Sequence, residues 1–246
     1  MQKLGRFELH AIRDGFFKLD GGAMFGIVPR PLWERLIPPD DQNRIRPSLT
    51  TLLVRNGEKN ILIDDGIGSK FDAKASAIYG IERDSDLAAS LGRIGLSPAE
   101  IDVVVLTHLH FDHAGGSTMR TADGKLVPAF LNAEYVIQRS AWEEATKTDE
   151  RTRGSYIPDD FLPLEQEGRI RFIDGDVEVE KGVSVVITGG HLKCHEVVFG
   201  ESEGKKAVFF ADLIPTTRHV KPAYIMGYDL YPQETLGLDG VDFVVH

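Results

Sequence analysis

Three histidines and an aspartate fall within six positions in His108-Leu109-His110-Phe111-Asp112-His113, directly after the apolar run Val103-Val104-Val105-Leu106. Imidazole nitrogens and carboxylate oxygens are ligands that zinc and related borderline metals accept. His108 and His110 share one side of an extended backbone, and the turn that follows re-aims Asp112 and His113, so two ligand pairs point at neighbouring places. Two metals roughly 3.5–4 Å apart form a hydrolytic site. The β-branched strand before the histidines, and Gly115-Gly116 after them, weigh against a histidine-rich surface loop, because the glycines let the backbone turn closely past the metals.

The string His108-Leu109-His110-Phe111-Asp112-His113-Ala114-Gly115-Gly116 resembles the signature of the metallo-β-lactamase fold superfamily of metallo-hydrolases. In its longer form it is similar to the version in the quorum-quenching, lactonase-like branch, which includes enzymes that open acyl-homoserine lactones. The resemblance implies an α/β fold, a four-layer αβ/βα sandwich with a dinuclear metal site at the edge of the two sheets. It implies that His108, His110 and His191 hold one metal, that Asp112, His113 and His246 hold the other, and that Asp212 bridges them. The ions would be two divalent metals, zinc first, with iron or manganese as alternatives.

Such a centre acidifies a shared water for attack on an ester or lactone carbonyl, and Asp112 passes a proton to the leaving alkoxide. Asp112 and Asp212 are thus the expected catalytic pair. Two other readings stay open: a phosphoester or organophosphate hydrolase of the same fold, and a non-catalytic metal-binding protein if the second metal's shell is incomplete.

These side chains need strand ends to carry them. Residues 48–54 and 60–63, separated by Asn56-Gly57, read as a hairpin, because Asn-Gly tolerates the positive φ angles of a tight turn. Its second strand delivers Asp64-Asp65-Gly66. The resemblance gives Asp64 the task of orienting a ligating histidine, with a plain turn aspartate as the competing reading. Leu87, Leu91 and Ile94 recur at helical spacing after Asp84-Ser85-Asp86, with Gly95 as a stop, and Ser97-Pro98-Ala99-Glu100 is a capping box. Residues 183–187 form another strand, which ends at Thr188-Gly189-Gly190-His191-Leu192-Lys193-Cys194-His195.

Relatives usually carry Pro-Gly-His-Thr-x-Gly-His there, so this chain departs at Gly189, Leu192 and Cys194. His191 matches the ligand position and His195 a supporting one. Cys194 reads as an inert, small buried residue rather than a thiolate ligand. Residues 207–210 repeat the device, an apolar strand leading to Asp212. Segments far apart in sequence end alike, as a shared rim of two packed sheets requires.

Residues 7–12 alternate as a strand that Asp14-Gly15 would close with a turn. Residues 20–45 combine glycine and proline with Met24, Phe25, Ile27, Trp33, Leu36 and Ile37. Satellite core, homodimer contact and active-site lid compete as uses for this segment, since large apolar patches seldom stay exposed. Residues 133–138 read as a strand, the stretch from Ser140 as a helix, and residues 147–163 as a charged surface excursion. Homoserine-lactone openers carry a tyrosine three residues after the bridging aspartate, where this chain has Pro215; Tyr224 and Tyr228 are the candidates to replace it. His219 reads as a solvent-exposed loop residue. At the tail the helix found in relatives is shortened or lost, while a last strand ending in His246 is kept.

At 246 residues the chain suits one domain, 1–246, with one sizeable core. A net charge of -10 opposes binding to a phosphate backbone, so a small-molecule ester or lactone is the expected partner and nucleic acid is not. A single cysteine fits a reducing compartment, and neither a signal peptide nor a membrane-length apolar run is evident; the expected location is cytoplasmic.

Overall fold

In the computed structural model, which describes residues 1–237, Val103–Val105 is an interior strand of a seven-stranded sheet. Asn60–Ile63 and Glu134–Gln138 flank it in parallel, aligning Ile61 with Val103 and Tyr135 with Val104, and Ile170–Ile173 extends the parallel set. Ser48–Arg55, Phe7–Phe16 and Gln2–Leu4 continue the sheet antiparallel on the other side.

Alternation along these strands builds two cores at once. Ile61, Ile63, Val103, Val105 and Val136 turn to one face, where they meet Val179, Val183, Val185 and Val198 of a second, four-stranded antiparallel sheet. Leu62, Val104, Tyr135 and Ile137 turn to the opposite face, against Leu87, Leu91, Ala141, Ala145, Phe161 and Leu164 from the helices Leu87–Gly92, Arg139–Thr146 and Pro158–Gln166. A strand covered on both faces must be apolar at every position, so this part of the sequence reads as unbroken valine and isoleucine. Asp86 starts the first of these helices by accepting from the Ala89 amide at 2.7 Å, and the Ser97–Glu100 capping box forms as expected.

The parallel strands all end on one edge, which is where Asp64 and the segment running into His108 emerge. In the second sheet Ile187 pairs with Glu196, so the loop between them is presented at an edge too. The Glu196 amide donates to the Thr107 carbonyl at 3.3 Å and joins the two edges into one rim.

Three expectations are corrected. Asp14-Gly15 does not close a turn: the strand runs on to Phe16 through a register shift, and the buried Asp14 carboxylate accepts from the amides of Ile67, Gly68 and Leu87. Residues 147–163 are not all surface, since Pro158–Gln166 is a helix that buries Asp160, Phe161 and Leu164. Pro158 at its first turn starts the helix, and the apolar faces of Phe161 and Leu164 supply the burial that charge density hides in the sequence. His219 is 5% exposed, stacked on Phe25 at 4.7 Å, with Nε2 2.8 Å from the Met24 carbonyl.

Within residues 20–45, Met24, Phe25, Trp33 and Ile45 form a small cluster with Met226, while Ile27 and Leu32 remain exposed.

Glu196 offers a test of this packing. Its carboxyl is buried, with one oxygen accepting from the Gln138 amide at 2.8 Å and the other unpartnered. Burial pushes its pKa up from 4.5 to about 8, against the Gln138 bond and with help from Asp64 and Asp176. A folded pKa above the unfolded one means that the native state holds this proton more tightly, so stability falls as pH rises from about 4.5 through about 8. Glu196→Gln removes that dependence while keeping an acceptor for Gln138. The melting-temperature difference between variant and parent should shift in the variant's favour from pH 5 to pH 8 and level off above; a pH-independent difference would contradict this.

Candidate metal centre

The six expected ligands that lie among the described residues meet at the rim. Val103–Val105 carries His108 and His110 out of the sheet, and the one-turn helix Phe111–Ala114 swings Asp112 and His113 round beside them. His191 arrives from the loop after Val183–Ile187, and Asp212 from the turn after Lys205–Phe209. His191 Nε2 is 3.2 Å from His110 Nδ1 and 3.3 Å from Asp212 Oδ2. His113 Nε2 is 3.1 Å from Asp212 Oδ1 and 3.7 Å from Asp112 Oδ2. The two oxygens of Asp212 thus face two different histidines. His246 lies outside the described residues.

Three of the four imidazoles, those of His108, His113 and His191, are held from behind. Thr107 donates its hydroxyl to Asp64, at 2.9 Å, so His108 Nδ1–H is the donor in the 3.1 Å contact with Thr107 Oγ1. That tautomer leaves a lone pair on His108 Nε2, which is buried and has no hydrogen-bond partner. His113 Nδ1 lies 2.8 Å from Asp64 Oδ2, and His191 Nδ1 lies 3.0 Å from Asp229 Oδ1. Thr235 Oγ1 donates to the other Asp229 oxygen at 2.8 Å. Asp64 has φ 57°, a left-handed conformation that costs energy for a residue with a side chain, and it turns the carboxylate back onto Thr107 and His113.

Ligand atoms of His108, His110, His191 and Asp212 all lie within 4.8 Å of one another. With the bare His108 nitrogen, they fit one divalent cation. Asp112, His113 and the second Asp212 oxygen form a smaller set alongside. Burial holds the pKa values of His108 and His110 well below the ordinary histidine range, and the neighbouring imidazoles add to it, so both are neutral ligands. For His113 burial opposes protonation, yet Asp212, Asp112 and Asp64 outweigh it and raise its pKa well above the ordinary value. Burial opposes ionisation of Asp212, but His113 and His191 hold its pKa well below the usual carboxylate range. Without a metal, a proton on His113 balances the carboxylates; a cation would replace it.

Sequence reasoning missed Asp229 and Thr107 as orienting groups. Asp229 stands in Tyr228-Asp229-Leu230-Tyr231, a loop with no periodic signal, 38 residues from its histidine. His195 is buried, with Nδ1 on Thr188 Oγ1 at 2.8 Å and Nε2 unpartnered. Its pKa is pushed down to about 3 by burial, with His191 adding to it. Cys194 is buried, and its thiol donates to Glu144 at 3.2 Å.

The centre floors a cavity of about 820 Å³. Phe17, Leu19, Met24, Ile37, Leu49 and Met226 supply part of an apolar wall above His110, Asp112, His113, His191 and Asp212, and Arg46 and Arg151 also line it. Arg46 is committed to Glu82 at 2.7 Å and to the Phe16 ring. No helix among the described residues is long and apolar enough to cross a membrane.

Residues 45–238 match the model of the Metallo-beta-lactamase superfamily. The N-acyl homoserine lactonase AiiA of Bacillus thuringiensis subsp. kurstaki is 33% identical over 118 residues, covering 48% of this chain and 40% of the lactonase. The alignment thus spans about two-fifths of the length of this curated relative. A probable metal-dependent hydrolase from Staphylococcus aureus superposes with a TM-score of 0.91 at 31% identity, over 98% of this chain and 86% of that one. AidC, a dizinc quorum-quenching lactonase, superposes with a TM-score of 0.75 at 23% identity over 96% of this chain and 82% of its own, a likeness of fold.

Proposed function

From the premise that this chain belongs to the metallo-β-lactamase superfamily, we propose that it is a metal-dependent hydrolase of a small ester or lactone with an apolar acyl part. The observation that carries this reading is the Asp212 carboxylate, whose oxygens stand 3.1 Å from His113 and 3.3 Å from His191 beneath a largely apolar cavity. Two divalent ions, zinc first, on His108, His110, His191 and Asp212 and on Asp112, His113 and Asp212, would supply Lewis-acid polarisation of a carbonyl and acidify water.

The chain's own groups supply the rest. Asp229 and Asp64 hold His191 and His113 in place, so little reorganisation is left for the reaction. Asp112 lines the cavity beside Asp212 and His113, which places its carboxylate to take a proton and return it to the leaving alkoxide. The apolar wall takes an acyl chain and keeps bulk water out. Residues 20–45 contribute Met24, Ile37 and Ile45 to that wall, which favours a role in shaping the pocket mouth.

The test is metal analysis after gentle dialysis, followed by turnover of acyl-homoserine lactones, aryl esters and a phosphotriester. About two zinc-like ions per chain are expected, with lactone or ester cleavage that chelation abolishes and zinc restores. A metal-free protein, or one that cleaves the phosphotriester and spares lactones and esters, overturns the reading.

A further inference from the structure

Two of the supported histidines are held by the same device. Behind His113 stands Asp64, which also accepts from the Thr107 hydroxyl; behind His191 stands Asp229, which also accepts from the Thr235 hydroxyl. The first threonine sits at the sheet edge, directly before His108, whereas the second comes from the short helix Pro232–Gly237, outside both sheets.

The side chains of His191 and Asp229 are 1% and 2% exposed, so bulk water does not serve this pair. Asp229 Oδ1 accepts the His191 Nδ1 proton at 3.0 Å, which leaves the lone pair on Nε2, the nitrogen that faces Asp212. Asp229 Oδ2 has Thr235 Oγ1, at 2.8 Å, as its sole hydrogen-bond partner among the described residues. Without that donor a buried carboxylate oxygen is left unsatisfied, and the carboxylate gains by turning away from His191.

The helix reaches the His191 loop because two glycines leave nothing between them. Gly189 and Gly190 have φ of 67° and 76°. A Cβ on Gly190 would sit 2.5 Å from Thr235 Oγ1, and one on Gly189 would sit 2.5 Å from Glu234 Oε2. The bare backbone is therefore the seat on which the helix rests. The Gly190 amide donates to Glu234 Oε2 at 3.3 Å, the Tyr231 amide to the Gly190 carbonyl at 2.9 Å, and the Leu230 amide to the His191 carbonyl at 3.0 Å. Gly189 is also a position at which this chain departs from the pattern of its relatives.

We propose that Thr235 is a positioning residue: through Asp229 it fixes the His191 imidazole, and the short helix that carries it thereby sets how tightly His108, His110, His191 and Asp212 hold a cation. This rests on the metal centre of the hydrolase reading above. Thr235 acts through Asp229 alone and takes no part in proton transfer.

The test measures zinc affinity by competition with a chromophoric chelator on metal-stripped parent, Thr235→Val and Thr235→Ser, beside melting of the metal-free proteins and turnover of N-hexanoyl-L-homoserine lactone. Thr235→Val keeps the shape and loses the donor. It should weaken one zinc equivalent about 10-fold, the lower end of what loss of a ligand's supporting partner costs. The other equivalent and the metal-free melting temperature should stay at the parent's values, and Thr235→Ser, which restores the hydroxyl, should recover the lost affinity. If Thr235→Val binds zinc as the parent does, or Thr235→Ser is as weak as Thr235→Val, the proposal is overturned and the hydrolase reading stands. A fall in both equivalents alike, or a metal-free melting temperature lowered with it, makes Thr235 a part of the helix packing and also overturns the proposal. A parent that binds zinc with Thr235-dependent affinity but cleaves neither lactones nor esters loses the hydrolase reading and keeps the proposal. A parent that binds no zinc overturns both.

Discussion

Asp212→Asn should lower kcat/KM by roughly 100- to 1,000-fold, the scale of removing one preorganised electrostatic group from a water-poor site. Its two carboxylate oxygens face His113 Nε2 and His191 Nε2, and an amide keeps only one oxygen. The other atom becomes an NH2 that repels a cation and donates where an acceptor is needed. Metal content should fall below the parent's. The melting temperature of the metal-free protein should fall more modestly, because Lys205–Phe209 and the turn Ala211–Leu213 do not depend on the side chain for their backbone bonds. Metal analysis, turnover and thermal melts on one preparation check all three. Near-parental turnover would place the shared ligand elsewhere.

The largest loss of stability is expected from Lys70→Met. Lys70 Nζ is 3.0 Å from Asp160 Oδ1 and donates to the carbonyls of Gly115 at 2.5 Å and Thr118 at 2.8 Å. The side chains of Lys70 and Asp160 are 7% and 3% exposed, so this is a buried pair. Methionine fills the volume but leaves Asp160 uncompensated, at a cost of about 3–5 kcal/mol. Burial already pushes the Asp160 pKa up from 3.8 to about 6, against the pull of Lys70. With a folded pKa above the unfolded one, the native state favours the protonated carboxyl. Loss of Lys70 raises that pKa further, so the deficit should be larger at pH 8 than at pH 5. Asp160→Asn in the Lys70→Met background should recover part of it. Urea melts of the parent, both single variants and the double variant measure the coupling, and additive effects would mean that the two groups do not act as a pair.

Both positions show where local reading stops. Asp212 stands at the end of an apolar strand, a pattern visible in five consecutive residues. Lys70 and Asp160 are 90 positions apart, and each looks like an ordinary surface charge until the helix Pro158–Gln166 brings them together.

The sequence by itself determined the ligand types, their close spacing in His108–His113 and the strand ends that carry them, because period-two alternation, caps and glycine turns are local properties of the chain. It also determined the family, through a motif short enough to read without a fold. Only the tertiary structure decided what orients each ligand. Asp229 behind His191, Asp64 behind His113 and Thr107, and Tyr228 in the cavity have their positions set by hydrogen bonds that cross between elements. The burial of His219, Glu196 and Asp160 belongs to the same class, since desolvation depends on what packs over a side chain and adjacent residues do not reveal it.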